Sequence, residues 1–379
     1  MDQLARDLKA SGKDIISLSL GEPDFDTPEF IKEAAWKALQ DGHTKYTPVP
    51  GITELRKAIS AKFKRENNLN YSIDEIVVSN GAKQSIANVC LALLNPGDEV
   101  ILFTPYWVSY FEIVRLAGGN PVELSAGIET DFKITADQLK KAITSKTRLI
   151  IYSSPCNPTG SVFAEDELRE ISEVILAHKN LMVLSDEIYE YINFTDTHYS
   201  IGSIAGMKER TITVNGFSKG FAMTGWRLGY MGAPLWLAKG CSKIQSQFTS
   251  GANSFSQVAA VTAINEGAKA AAEMKKTFLK RKELVLNLLR EIPSLKVNNP
   301  QGAFYIFVDA SSLVGKSLEG IKINTVDDFC MALLDKAGVA LVPGSAFGAQ
   351  DCFRISYASS DADLIEAVQR IKATVEKIA

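Results

Sequence analysis

The sequence has no apolar run approaching the roughly 18 residues that a membrane-spanning helix needs. No apolar signal-peptide core follows its charged start, Met1-Asp2-Gln3-Leu4-Ala5-Arg6-Asp7. It has no CxxC pair. Its five cysteines (Cys90, Cys156, Cys241, Cys330, Cys352) are scattered and odd in number. They speak against a disulfide framework or a thiolate zinc site, and for a reducing, cytoplasmic setting. The histidines His43, His178 and His198 lie far apart, so HExxH zinc chemistry is missing and no metal is expected. Neither sign of charge is in excess: 41 basic residues against 44 acidic ones leave a net charge of −3, with no basic footprint for nucleic acid. No GxGxxG follows a strand. Gly315-Lys316-Ser317 ends like a P-loop, but Ala310 stands where that loop's first glycine belongs. Internal repeats, low-complexity segments and flexible linkers are also missing. What remains is ordinary globular composition, with 46% apolar and 22% charged residues. The 379 residues suggest two or three domains at about 150 residues each.

The middle of the chain alternates strand and helix patterns. Ile76–Ser79 reads as a short buried strand. A helix over 82–94 follows, with Ile86, Val89, Cys90, Leu93 and Leu94 at i, i+3, i+4, i+7 and i+8. After the turn Asn95-Pro96-Gly97-Asp98 comes the strand Glu99–Phe103. The pattern continues through Thr147–Tyr152 (strand), Asp166–His178 (helix), Leu181–Ser185 (strand) and Thr211–Val214 (strand). Such alternation predicts an α/β fold, a mostly parallel sheet flanked by helices. A long helical stretch is expected from about Ser256 to Leu289, ended by Pro293 and Pro300. Beyond it a smaller α+β unit is expected: a strand over Gly302–Val308, a helix over Asp327–Ala337, a short strand Val339–Val342, a strand Cys352–Tyr357 and a closing helix Ala362–Ile378.

In parallel sheets ligands bind beyond the carboxyl ends of the strands, so the residues just after the apolar runs matter most. Gly216-Phe217-Ser218-Lys219-Gly220 follows one strand, and Asp186-Glu187-Ile188-Tyr189 closes another. Ser154-Pro155-Cys156-Asn157-Pro158-Thr159-Gly160 closes a third. Asn80-Gly81-Ala82-Lys83 joins a strand to a helix start, where free backbone N–H groups suit an anion. Taken singly these are a solvated loop lysine, a helix cap, a tight turn and a capping loop. Four of them at four strand ends argue for one site.

With these motifs, and from Gly21-Glu22-Pro23-Asp24 to Phe353-Arg354-Ile355-Ser356-Tyr357, the chain resembles the fold-type I pyridoxal-phosphate aminotransferases of class I/II. It is close to the bacterial aspartate aminotransferases, some of which also accept prephenate. The resemblance implies a large cofactor-binding domain over residues 30–284, and a small domain over 1–29 and 285–379 that closes over the site. It implies a Schiff base between Lys219 and pyridoxal phosphate, with Lys219 then serving as general base and acid. Asp186 would pair with the ring nitrogen, Tyr189 and Asn157 with the ring oxygen, and Trp107 would stack on the ring. Arg227, Ser218 and the N–H groups of Gly81, Ala82 and Lys83 would hold the phosphate, joined by Tyr46 of a partner subunit. Arg354, with Asn157, Trp107 and Gly21, would clamp the substrate α-carboxylate, and Lys83 would reach a distal carboxylate. The implied reaction is ping-pong transamination of L-aspartate with 2-oxoglutarate, by a homodimer with shared sites acting in amino-acid metabolism.

Other readings within the resemblance are an aromatic, alanine or prephenate aminotransferase, a β-lyase and an aminocyclopropane-forming enzyme. A non-enzyme reading, a pyridoxal-phosphate-sensing regulator, requires a DNA-binding domain for which no residues are left over. Intact Lys219, Asp186 and Arg354 speak against a catalytically dead homologue. Two departures from the family pattern stand out. Gly216 replaces a phosphate-binding serine three residues before the lysine. The segment ahead of Gly21 is also short, with Met1 falling inside an expected helix, so an N-terminal arm bracing the dimer is expected to be missing. The resemblance also implies cis peptide bonds at Thr104-Pro105 and Asn157-Pro158.

Overall fold

The computed structural model describes residues 2–379, and Met1 lies outside the described residues. Its centre is a seven-stranded sheet: β1 (Ile76–Ser79), β2 (Glu99–Thr104), β3 (Asn120–Ser125), β4 (Thr147–Ser153), β5 (Met182–Asp186), β6 (Thr211–Gly216) and β7 (Gly229–Gly232), in the spatial order β1-β7-β6-β5-β4-β2-β3. All neighbouring pairs are parallel except those of β7, which runs antiparallel to β1 and β6. The central strands are apolar on both faces because helices cover both. In β4, Leu149 and Ile151 join one core cluster with Val89 and Leu184, while Ile150 and Tyr152 join another with Leu168 and Val183.

Three elements depart from the expected pattern for steric reasons. Strand β7 carries a glycine at each end. A side chain at Gly229 would lie 2.3 Å from the backbone nitrogen of Ala82, and one at Gly232 would lie 2.5 Å from the Tyr71 ring. Edge strand β3 is half polar and contains Pro121, which an edge tolerates. The expected single helix over 256–289 is two, Ser254–Glu266 and Ala268–Leu289. They break at Gly267, where a Cβ would sit 2.5 Å from the Phe221 ring.

A second, four-stranded antiparallel sheet is built from Lys296–Val297, Tyr305–Asp309, Cys352–Ser356 and Val342–Pro343. The strand expected over 339–342 is therefore split. Val339–Ala340 pairs in parallel with Ile16–Ser17, whereas Val342–Pro343 pairs with the Cys352–Ser356 strand. The helix Val326–Ala337 packs beneath this sheet. Thr325 caps it by accepting from the Asp328 N–H at 3.1 Å, and Gly338 ends it in the left-handed region. The cis bonds at Thr104-Pro105 and Asn157-Pro158 are present, with a third at Ser154-Pro155. No described helix is long and apolar enough to cross a membrane.

Candidate active site

The carboxyl ends of β4, β5 and β6 and the start of the helix Ala82–Leu93 open into one cavity of about 630 Å³, closed on its far side by the small sheet. Asp186, the last residue of β5, points into it. Its carboxylate accepts from Tyr110 Oη at 2.6 Å and from the Ile188 N–H at 3.2 Å. Burial outweighs these bonds and pushes its pKa up to about 6. Lys219, in the loop after β6, donates from Nζ to the Gly21 carbonyl. Burial lowers its pKa to about 8 against the pull of Glu22, and Arg354 and Arg227 push the same way as burial. Tyr189 shares a hydrogen bond of 2.8 Å with Tyr305 across the cavity floor.

Arg354 comes from the Cys352–Ser356 strand and is 6% exposed. Its two terminal nitrogens donate to Asn157 Oδ1 at 2.8 Å and to the Ser19 carbonyl at 2.7 Å. Its guanidinium lies 4.3 Å from the Tyr305 ring centre and 5.0 Å from that of Phe347. All of these contacts are neutral, and Nε has no partner. A buried cation without a carboxylate is costly unless a ligand supplies one.

The rest of the lining continues the imbalance. Lys83, Arg227, Lys219 and Arg354 line the cavity, and Asp186 is the one carboxylate among the described lining residues. Lys83 Nζ stands 4.8 Å from the Trp107 ring centre. Partial burial and the nearby Arg227 lower its pKa. Arg227 donates to the Thr224 carbonyl at 3.0 Å. Its guanidinium presses on Gly81 so closely that a Cβ there would lie 2.5 Å from it. Gly81, at φ 86°, turns the chain into the helix at Ala82. Its own N–H is already given to Ser79 O at 2.8 Å, so the N–H groups of Ala82 and Lys83 are the ones left to face an anion. Ser218 completes this end. A helix N-terminus, an arginine and a hydroxyl in a cradle that a Cβ would fill fit a phosphate monoester. Asp186 and Lys219 beyond them fit a pyridine ring carrying an aldehyde.

Gly216 has a packing reason. A Cβ there would come within 3.0 Å of Gly229 Cα and of the Ile188 side chain, tighter than an ordinary contact. Of the residues singled out from sequence, Gly21, Ala82, Lys83, Trp107, Asn157, Asp186, Tyr189, Ser218, Lys219, Arg227 and Arg354 converge on the cavity. Gly81 lies just behind its wall. Tyr46 does not converge: it is 98% exposed and away from this chain's own cavity. Tyr110, Tyr305 and Phe347 were not foreseen. Tyr110 follows Trp107 by three positions, in the first turn of the helix Ser109–Leu116 that begins just after it.

A family model described as aminotransferase class I and II matches residues 13–371. The chain is 51% identical over 376 residues to a bifunctional aspartate aminotransferase and glutamate/aspartate-prephenate aminotransferase of Petunia hybrida, covering 98% of this chain and 78% of the relative. Among solved structures it matches an aspartate aminotransferase from Rhizobium meliloti with TM-score 0.97 and 45% identity, over 100% of this chain and 95% of the other. It also matches an aspartate aminotransferase from Thermus thermophilus with maleate, with TM-score 0.92 and 40% identity, over 98% and 95% of the two chains.

Proposed function

The chain belongs to the class I and II aminotransferases, and on that premise we propose that it transfers the amino group of a dicarboxylic amino acid, L-aspartate, to 2-oxoglutarate. Its fold is fold-type I and its cofactor is pyridoxal phosphate. The observation that carries the reading is the cavity's charge: four cations against Asp186, with buried Arg354 meeting only neutral groups. Such a site is complete only with an anionic cofactor and an anionic substrate inside it.

When bound, pyridoxal phosphate supplies an electron sink for the pair left by a broken Cα–H bond. In this reading Ala82, Lys83, Ser218 and Arg227 hold its phosphate, and Trp107 covers its ring. Asp186 keeps a proton on the ring nitrogen, and Asn157 and Tyr189 hold the ring oxygen. Lys219 Nζ would carry the covalent link and, when free of it, would be the base that takes the substrate's Cα proton and holds it for return on the same face. A pKa lowered to about 8 by burial makes its neutral form accessible near neutral pH. Arg354, with Asn157 and the Gly21 backbone, clamps the α-carboxylate. Lys83 meets the distal carboxylate, and the Thermus relative's maleate, itself a dicarboxylate, supports this.

Tyr46 serves the phosphate of a second copy, so the working unit is a homodimer with shared sites. The exposed Tyr46 ring supports this reading. The large domain spans 30–284, and the small domain, 1–29 with 285–379, closes over the site. The helix Ala268–Leu289 crosses the boundary and is common to both. The scattered cysteines, all free, support a cytoplasmic location. A second acceptor, prephenate, is favoured by the apolar residues Val108, Ala346 and Phe347 beside the cations.

The test is a panel of amino acids read by conversion of the cofactor's absorbance from the pyridoxal to the pyridoxamine form. Aspartate and glutamate should convert it at the lowest concentrations. Faster conversion by alanine or phenylalanine would overturn the dicarboxylate reading.

A further inference from the structure

Behind the cavity, on the opposite side of the Asp186–Glu190 turn, lies a cluster of buried charges that the reaction itself does not use. Side chains alternate along an extended chain, so when Asp186 faces the cavity Glu187 faces away. The Glu187 carboxylate is 0% exposed. It accepts from Ser185 Oγ at 3.0 Å, Ser200 Oγ at 2.6 Å, His198 Nε2 at 2.9 Å and Asn67 Nδ2 at 3.4 Å. Glu190 accepts from Lys62 Nζ and from Asn67 Nδ2 at 2.7 Å. Lys62, 0% exposed, also donates to Asn67 Oδ1 at 2.8 Å and lies 3.8 Å from Glu66 at the rim.

Glu187, Glu190 and His198 bring ligand atoms within 4.8 Å of one another, a spacing that suits a metal ion, but the Lys62 ammonium already supplies the cation there. Burying four ionisable groups is a poor source of stability compared with apolar packing. What the cluster does provide is a fixed geometry. The same five-residue turn carries Asp186 and Tyr189 on the cavity side and Glu187 and Glu190 on the cluster side.

We propose that Glu187 and Glu190, anchored by Lys62, Asn67, His198 and Ser200, are positioning residues that aim Asp186 and Tyr189 at the cofactor. This rests on the reading of Asp186 as the partner of the ring nitrogen. Without the anchors the turn rotates and Asp186 holds the ring proton less firmly. Less positive charge on the ring then leaves the nitrogen of Lys219 protonated to higher pH. Simple removal of a negative charge would do the reverse, because it disfavours protonation nearby.

The experiment is the pH titration of bound-cofactor absorbance in the holoenzyme, alongside steady-state kinetics. In Glu187→Gln the midpoint should rise by about one unit. kcat should fall about tenfold with KM within about twofold. Ser200→Ala, which removes one donor, should move the midpoint the same way by less, and it stands in if Glu187→Gln does not fold. Glu66→Gln, at the rim, should leave the midpoint in place. A midpoint that stays or falls in Glu187→Gln and Ser200→Ala, or rises equally in Glu66→Gln, overturns the proposal. Asp186→Ala separates the two levels. If it raises the midpoint and the anchor variants do not, the positioning role alone fails. If it leaves the midpoint unchanged, the reading of Asp186 fails with it.

Discussion

The two sides of the Asp186–Glu190 turn are built on opposite principles. Behind it every charge has a counter-charge: Lys62 and His198 face Glu187 and Glu190, with Ser185, Ser200 and Asn67 filling the remaining valences. In front of it Lys83, Arg227, Lys219 and Arg354 line a cavity whose one lining carboxylate is Asp186, with Glu22 reaching only Lys219 from outside the lining. The rear cluster balances its charges when the chain has folded, with only the His198 Nδ1 atom left without a partner, whereas the front is finished only when ligands arrive. Buried charge by itself therefore does not mark a functional site; charge without a partner does.

The comparison breaks most visibly at Lys219. Lys219→Ala removes the covalent link and the proton carrier, so transamination should fall by at least about 10²–10⁴-fold. Urea unfolding of the cofactor-free protein should show no loss of stability, because a cation disfavoured by burial has been removed. A variant of near-normal activity would end the mechanism. Lys62→Met should behave in the opposite way. Leaving Glu190 buried without its cation should cost about 3–5 kcal/mol of folding stability, while the ranking of amino donors stays as it was. A Lys62→Met protein as stable as the parent would show that Lys62 is not the counter-charge on which the rear cluster depends.

A smaller effect is expected at Lys83. With Lys83→Ala, kcat/KM for aspartate should fall by about 1.5–3 kcal/mol, the scale of one charge-assisted hydrogen bond. Alanine turnover should change little. An equal loss for both would reassign Lys83 to the cofactor phosphate.

The smallest effect is on the pH dependence of the cofactor-free protein. Asp186 binds its proton more tightly folded than unfolded, so stability should decline as pH rises from 3.8 to about 6. Lys219 binds its proton less tightly folded, so stability should climb as pH rises from about 8 to 10.5. Asp186→Asn should flatten the first slope and Lys219→Met the second. Slopes unchanged in these variants would assign the titrations to other groups.

What could be read from sequence follows the same division. Strands β4, β5 and β6 announce themselves because both faces are buried and the runs are unbroken. Strand β7 does not, because the helix start at Ala82 and the Tyr71 ring demand glycine where a strand would ordinarily carry apolar bulk. Lys219, Asp186 and Asn157 were legible as polar residues at strand ends. Tyr110 and Tyr305 were not, since each meets the site from another element: Tyr110 donates its hydroxyl to Asp186, and Tyr305 shares a hydrogen bond with Tyr189 and sets its ring against Arg354. The split at Gly267 was hidden because both halves read as helix, and the Ala263 carbonyl and the Phe221 ring that crowd Gly267 show only in the fold. The rear cluster is likewise silent in the sequence. Glu187 and Glu190 look like an ordinary acidic turn until His198 and Lys62 are seen folded onto them.

The neutral setting of Arg354 has a consequence for traffic through the site. Its guanidinium is aimed by two oxygens that bear no formal charge and by two ring faces. An incoming carboxylate therefore breaks no ion pair to dock, and a departing one leaves no rival anion to close the gap behind it. A two-stage reaction must load and unload this anchor twice per cycle, with four different molecules sharing the same head group. An arginine pre-paired to an aspartate would have to be pried loose at every exchange. On the proposed reading of Arg354 as the carboxylate anchor, it waits in its working orientation with no ion pair to break.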